Sequence, residues 1–442
     1  MRILKRLFGT DGVRGLVNEE LSVEISMKIS NAVARMFSGK YNTLLIASDT
    51  RNSKEMLEYA LTAGALSAGM DVEYCGVMPT PTLAYLTKEK ATVGIMISAS
   101  HNPASYNGLK VLKEGFKISD ETEIDVEKLV LEGEMDYVPY GEVGKIKKDD
   151  LKNIYIDYIV KNFKNINYKG KIAVDVGNGA AGAVINEIFS SLNLDYDVFY
   201  NEPDGFNINE NCGSTQPDKL SHIVIENKYD LGILYDGDAD RCLFIDKNGM
   251  LVDGDKLIAI NALKLKKQGR LKNDSVVTTV MSNLGFEKFL NDNEINLLRT
   301  NVGDKYVLEK MMEKKIVIGG EQSGHIIFFD KSTTGDGILT SLETLESITL
   351  KNKDIHEIVE EIPNYPQVLK NISVKNKIEI MQNEKIKKLK EKFESQENLR
   401  VVLRASGTEH KIRVMVEGKD EKLVEKVANE FCEEIEYIEN SI

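Results

Sequence analysis

The sequence predicts three similar α/β domains with mainly parallel mixed sheets, followed by a C-terminal α+β domain. Three observations predict this. The chain has 442 residues, more than one hydrophobic core can serve, so several domains are expected. Apolar runs of β type alternate with runs of helical spacing, the order that builds βαβ units. In each α/β unit a loop of small and polar residues follows a strand's end, where open sheets bind ligands.

The first unit is expected over 1–150. Helical spacing occupies 22–37 and 56–68. Strands are expected at 44–47, ending in Ser48-Asp49-Thr50-Arg51, at 72–77, closed by Pro79-Thr80-Pro81, and from residue 93 into Ser98-Ala99-Ser100-His101-Asn102-Pro103. The polar segment 136–150 suits a linker. The second unit, 151–252, reads as helix 151–163, strand 171–176, helix 180–191, strand 196–200, a Gly/Asn/Pro-rich loop and strand 231–235. In the third, 253–364, helices are expected at 256–266 and 305–315 and strands at 276–280 and 317–318, the last opening into Gly319-Gly320-Glu321-Gln322-Ser323-Gly324-His325. The fourth, 365–442, has a different order: a strand, a charged helix at 378–393, two strands around Arg404-Ala405-Ser406-Gly407-Thr408-Glu409, and a final amphipathic helix.

Hydrophobic content of 42% and charged content of 29% are those of a soluble globular protein. No apolar run approaches the roughly 20 residues that span a bilayer, and the basic start lacks the apolar stretch of a secretory signal. Four scattered cysteines suggest neither a disulfide framework nor a zinc site. A cytoplasmic protein without a membrane partner is the expectation. A net charge of −13 argues against a nucleic-acid partner, but leaves room for a local positive pocket that takes a small anion.

Two stretches suggest chemistry. Ser100 sits where a buried strand delivers a side chain into a cleft, although a strand-end serine can equally serve as a cap. Far along the chain, Asp236-Gly237-Asp238-Ala239-Asp240-Arg241 sets three carboxylates at alternate positions between two apolar strands. Hard oxygen donors at that density suggest Mg²⁺, and Mg²⁺ beside a serine suggests phosphoryl chemistry. A calcium loop fails, because Arg241 stands where a glycine is needed and Lys247 where the bidentate glutamate belongs; a solvated turn stays open. A serine hydrolase would want Gly-x-Ser-x-Gly. His101 is adjacent in sequence, and neighbouring side chains on an extended segment point to opposite faces. Gly177-Asn178-Gly179-Ala180-Ala181-Gly182, with Glu202 beyond a second strand, formally satisfies a dinucleotide fingerprint; tight glycine packing between strand and helix is the competing reading. Arg404-Ala405-Ser406-Gly407-Thr408 can enclose a phosphate dianion or be a polar hairpin turn.

Together these motifs resemble the α-D-phosphohexomutase family over essentially the whole chain. Four signatures stand in family order: the Ser98-to-Pro103 stretch, the Asp-Gly-Asp-x-Asp-Arg metal loop, the Gly-Glu-x-Ser-Gly-His sugar loop, and a phosphate loop ending in Ile412-Arg413-Val414. Phe8-Gly9-Thr10-Asp11-Gly12-Val13-Arg14-Gly15 and Gln322 look like the bacterial members that act on an amino sugar. The resemblance implies four domains around a central active-site cleft and a phosphoserine at Ser100. It implies one Mg²⁺ per subunit, held by Ser100, Asp236, Asp238 and Asp240. The implied reaction interconverts glucosamine 6-phosphate and glucosamine 1-phosphate through a 1,6-bisphosphate, feeding UDP-N-acetylglucosamine and cell-wall precursor synthesis. A hexosamine or glucose 1,6-bisphosphate would be the activator. By the same resemblance Glu321 and Ser323 bind sugar hydroxyls. Arg404, Ser406, Gly407, Thr408 and Arg413 bind the distal phosphate. Arg14, His101, Lys110, Arg241 and His325 serve charge stabilisation or proton transfer, and a homodimer is suggested. Ala405 and His410 replace the phosphate loop's usual prolines, Lys305 an arginine, and Lys54 a glycine. Specificity for mannose or glucose phosphates is the alternative within the family, and a dinucleotide-dependent oxidoreductase the alternative outside it.

Overall fold

The computed structural model describes residues 7–9, 11–396, 398–405 and 410–441. Four sheets follow one another along the chain. In the first, the fully buried strand Val93–Ile97 lies between Thr43–Ser48, parallel to it, and Tyr106–Lys113, antiparallel. Asp71–Val77 extends the parallel side; Val13–Leu16 and Phe116–Lys117 both pair with Tyr106–Lys113. Helices Val23–Phe37 and Lys54–Ser67 pack against each other so closely that a Cβ on Gly64 would lie 2.1 Å from the Met27 carbonyl. The segment expected to be a linker contributes a strand, Ile146–Lys148, parallel to Asp71–Val77 at the sheet edge. It is three residues long, exposed and lysine-bearing, the composition that guards an edge and hides a strand from periodicity.

In the second sheet Lys171–Asp175 is flanked in parallel by Asp195–Phe199 and by the central strand Leu231–Tyr235; Cys242–Asp246 and then Leu251–Val252 add antiparallel. The third repeats the scheme, with Ser275–Thr279 between Asn296–Thr300 and Ile318–Gly320 and with Ile326–Phe328 antiparallel. All three α/β units therefore share one device, a buried parallel strand that turns back in an antiparallel hairpin. The tips of those hairpins carry Ser100, Asp236 to Asp240, and Glu321 to His325. Besides helices Gly254–Lys267 and Asp304–Lys314, the third unit has Leu284–Asp292, Gly337–Lys351 and Ile355–Glu360, which the sequence reading left unassigned.

The fourth sheet is antiparallel, with Lys411–Gly418 between Gln367–Ser373 and Leu399–Ala405. The single charged helix expected at 378–393 is two, Lys377–Gln382 and Glu384–Glu394, because the Asn383 side chain accepts from the Lys385 amide and starts a new helix. Buried apolar residues from Tyr155 to Ile362 form one cluster, so the second and third units share a core; the first and fourth units have cores of their own. Among the described residues, no helix is long and apolar enough to cross a membrane.

Candidate active site

The first hairpin tip is built on buried ion pairing. Arg51, with no exposed surface, donates from Nε to Asp49 Oδ2 (3.0 Å). Its other nitrogens donate to the carbonyls of Pro103, Tyr106, Ser100 and Asn102. Ser98 Oγ donates to the same Asp49 oxygen and accepts from the Ser100 amide; Asn209 of the second unit donates to the Ser100 carbonyl at 3.0 Å. The amide and the carbonyl of Ser100 are thus both held, which sustains a left-handed φ of 53° at a non-glycine residue. Ser100 is therefore not extended, and the expectation that His101 points to the opposite face is corrected: Ser100 Oγ lies 3.2 Å from His101 Nδ1. Burial, then Arg241 and Arg14, push the His101 pKa down to about 4, so the ring is neutral near pH 7.

Ser100 Oγ donates to Asp236 Oδ2 at 2.6 Å. Asp236, Asp238 and Asp240 are all buried, and each offers an oxygen within 4.8 Å of the others. A left-handed Ala239 (φ 55°) turns the chain between the last two. Lys110, 1% exposed, donates to Asp238 Oδ2 (2.8 Å) and Asp240 Oδ2 (3.2 Å). Thr80 gives its hydroxyl to Asp238 Oδ2 and its amide to the Asp238 carbonyl. Asp238 Oδ1 and Asp240 Oδ1 are buried without a hydrogen bond. Orphaned carboxylate oxygens within a trio of acids are what a hard divalent cation coordinates, so these residues fit Mg²⁺. Burial and the repulsion of Asp240 and Asp238 raise the Asp236 carboxyl to about 8, the excess negative charge that a cation would neutralise. At Asp240 burial works the same way, but Lys110, His325 and Arg241 outweigh it and hold the group well below the carboxylate range.

The third hairpin rests on the second. Gly324, at φ +92°, accepts the Cys242 amide, and a Cβ there would lie 2.4 Å from the Cys242 carbonyl. Glu321 Oε1 accepts the Gly303 amide at 3.1 Å, while the buried Ser323 hydroxyl has no hydrogen-bond partner. His325 is buried with Nδ1 3.5 Å from Asp240 Oδ1. The Gly335 amide donates to Nε2, which assigns the neutral ring's proton to Nδ1, on the Asp240 side. Burial disfavours the imidazolium, yet Asp240 and Asp304 raise its pKa above the ordinary value.

Arg14 pairs with Asp11, and Arg241 Nε stands 4.0 Å from Asp240 Oδ1. Arg404 and Arg413 are directly opposed on paired strands of the fourth sheet. Burial and the neighbouring Arg413 lower the Arg404 pKa, against a smaller raising effect of Glu321. Two juxtaposed guanidiniums suit a dianion. Ser406, Gly407 and Thr408 lie outside the described residues; at the loop's far end the His410 carbonyl accepts the Val374 amide.

The glycine fingerprint is structural packing. A Cβ on Gly179 would lie 2.5 Å from the Gly237 carbonyl, which already accepts the Ala180 amide. A 3-10 turn, Ala180–Ala183, follows, and the helix begins only at Ile185, so no helix N-terminus meets the glycines. The loop braces the back of the acidic hairpin. Sequence reasoning missed Asp11, Asp49, Arg51, Thr80, Lys117, Asn209 and Asp304. Asp49, Arg51, Thr80 and Asp11 stand in stretches that the sequence singles out, but nothing there marks them as supports of the site; Lys117, Asn209 and Asp304 carry no local signal.

Models of all four domains of the phosphoglucomutase/phosphomannomutase family match in order: α/β/α domain I over 5–136, domain II over 153–249, domain III over 253–365 and the C-terminal domain over 369–434. The chain belongs to this family. Among curated relatives it is 49% identical over 390 residues to the phosphoglucosamine mutase of Thermosipho africanus, spanning 87% of this chain and 88% of that one. It is 47% identical, with the same coverage, to the phosphoglucosamine mutase of Carboxydothermus hydrogenoformans. Its fold is similar to a phosphoglucomutase/phosphomannomutase family protein of Burkholderia thailandensis, with a TM-score of 0.83, 21% identity and 96% of each chain covered. The Aspergillus fumigatus N-acetylphosphoglucosamine mutase, solved with GlcNAc-6P and magnesium, gives a TM-score of 0.67 at 17% identity over 97% of this chain and 95% of that one.

Proposed function

We propose that this family member interconverts glucosamine 6-phosphate and glucosamine 1-phosphate through a phosphoserine at Ser100, with four working units at 1–150, 151–252, 253–364 and 365–442. The observation that carries the reading is the 2.6 Å bond from Ser100 Oγ to Asp236, in a chain about half identical to named phosphoglucosamine mutases. In the forward direction the PO₃ group of phosphoserine passes to O1 of the sugar. Its bond to Ser100 Oγ breaks, and Ser100 recovers the proton that O1 loses. The 1,6-bisphosphate turns in the cleft, and its C6 phosphoryl group passes to Ser100, which releases glucosamine 1-phosphate. Asp236, Asp238 and Asp240 would hold a Mg²⁺ ion, which supplies neutralisation of the moving charge. The Aspergillus relative carries magnesium with its substrate, which supports this assignment.

The residues of this chain have separable work. Arg51 and Asn209 fix the Ser100 carbonyl and so aim its hydroxyl. Lys110, touching Asp238 and Asp240, places a fixed positive charge beside the transfer path. Neutral His101 and buried His325 are placed to accept or return a proton. Arg14 and Arg241 add charge stabilisation, Glu321 and Ser323 grip sugar hydroxyls, and Arg404 and Arg413 with Ser406, Gly407 and Thr408 take the phosphate not being transferred. Positioning and charge supply most of such catalysis.

Intact mass before and after incubation with glucose 1,6-bisphosphate is the test. A gain of about 80 Da that maps to Ser100 is expected, with kcat/KM highest on glucosamine phosphates among glucosamine, glucose and mannose phosphates. No label on Ser100 would overturn the reading. A higher kcat/KM on mannose phosphates would move it to the sister specificity. A cytoplasmic homodimer is the proposed working form, to be checked by sedimentation.

A further inference from the structure

The roles assigned above leave three charged side chains unused: Asp11, Lys117 and Asp304. Lys117 sits in the short return strand Phe116–Lys117 of the first unit. Its Nζ lies between Asp11, of the same unit, and Asp304 Oδ2 of the third unit, 2.5 Å away. Asp11 stands 3.1 Å from Lys110, which donates to Asp240 at 3.2 Å. Asp304 Oδ2 is 3.6 Å from His325 Nε2, and His325 Nδ1 is 3.5 Å from Asp240. These contacts close a ring: Asp240, Lys110, Asp11, Lys117, Asp304, His325 and back to Asp240. Acidic and basic groups alternate around it, and it takes members from all three α/β units.

The ring is shielded, since the side chains of Lys117, Asp11 and Asp304 are 22%, 20% and 17% exposed, so its contacts are screened far less than surface pairs. Burial opposes the charge on Lys117, and Asp11 and Asp304 more than restore it. The docking of the two units does not depend on this lysine alone. The Thr333 hydroxyl donates to the Gly115 carbonyl, and the Phe116 ring packs 6.4 Å from Phe329. What Lys117 adds is specific: it fixes and neutralises the carboxylate that stands on the far side of His325 from Asp240.

We propose that Lys117 and Asp304 are positioning residues for phosphoryl transfer, linking the unit that carries Ser100 to the imidazole of His325. This inference rests on the mutase reading. Removal of Lys117 leaves the Asp304 carboxylate without its counter-ion 3.6 Å from His325 Nε2, and removal of Asp304 leaves Lys117 to Asp11 alone and unlinks it from the third unit; either change alters the charge set against the imidazole that faces Asp240. Outer partners of this kind, acting through a residue that meets the substrate or metal, change activity about 10–100-fold.

The test is a double-mutant cycle with Lys117→Met, Asp304→Asn and the pair together, assayed on the hexose phosphate that the wild type turns over. Each single change is expected to lower kcat about 10–100-fold with KM nearly unchanged, and the double variant to be no worse than the poorer single one. Lys117→Arg should recover most of the rate. Where Lys117→Met does not fold, the nearly isosteric Asp304→Asn, measured alone and on the Lys117→Arg background, reads the same link. Multiplicative losses, a wild-type kcat in either single variant, or failure of Lys117→Arg to rescue would overturn the proposal. Phosphoserine labelling of the wild type separates the two layers: without it the mutase reading fails and takes this proposal with it, whereas normal labelling with multiplicative losses sinks the proposal alone.

Discussion

Ser100 Oγ and Asp236 Oδ2, 136 residues apart in sequence, meet at 2.6 Å, which joins the first hairpin tip to the second. The hydroxyl is aimed by a left-handed Ser100 whose own amide and carbonyl both have partners, so little of that aim depends on the hydroxyl itself. Ser100→Ala is expected to reduce turnover by at least about three orders of magnitude, to lose the 80 Da label, and to melt within a few degrees of the wild type. A variant with near-normal rate would remove the phosphoserine.

Arg51 makes the same tip possible. With Arg51→Met, Asp49 is left buried with an uncompensated charge and four loop carbonyls lose a donor. Breaking a buried pair of this kind costs about 3–5 kcal/mol, readable by urea unfolding. Arg51→Lys should recover little, because a point ammonium cannot reproduce the guanidinium fork. A loss under about 1 kcal/mol would mean that the loop finds other partners.

Much of this was legible in the sequence, and the reason differs by residue. Ser100 and the three aspartates were visible because a buried strand that ends in small polar residues is a local pattern, and so is alternation of carboxylates between apolar runs. Arg51 was hidden because arginine reads as surface, and only its 0% exposure shows that it is an internal strut. The orientation of His101 was misjudged because a left-handed φ at Ser100 has no local sequence signal outside glycine, asparagine and aspartate. Asp11, Lys117 and Asp304 acquire meaning only when three units dock, and no periodicity reports that. The split at Asn383 and the edge strand Ile146–Lys148 were missed because short polar elements carry weak patterns.

Asp238 presents one oxygen to Thr80 and Lys110 and leaves the other without a protein partner. Asp238→Asn removes the charge but can still accept both bonds, so the hairpin should keep its shape. Calorimetric titration with Mg²⁺ is expected to show at least about tenfold weaker binding, with chelator sensitivity of turnover rising in step. Unchanged affinity would place the cation elsewhere.

Asp336 tests a buried proton. Its carboxyl accepts the Tyr155 hydroxyl and caps helix Gly337–Lys351, whose first amide donates to the Ala239 carbonyl of the acidic hairpin. Burial raises its pKa from 3.8 to about 6, against the lowering effect of the Leu339 amide and Tyr155. A folded pKa above the unfolded one means that the native state binds more protons over that window. The stabilisation is therefore full below about pH 4 and is lost as pH rises through 6, by up to about 3 kcal/mol. Asp336→Asn cannot ionise, yet its amide oxygen can still accept both bonds. Urea unfolding at pH 4.5 should find the variant ahead by only about 1 kcal/mol, and at pH 7.5 by about 3 kcal/mol. An equal difference at both pH values would show that Asp336 is ionised throughout and that its burial is offset by bonds other than these two.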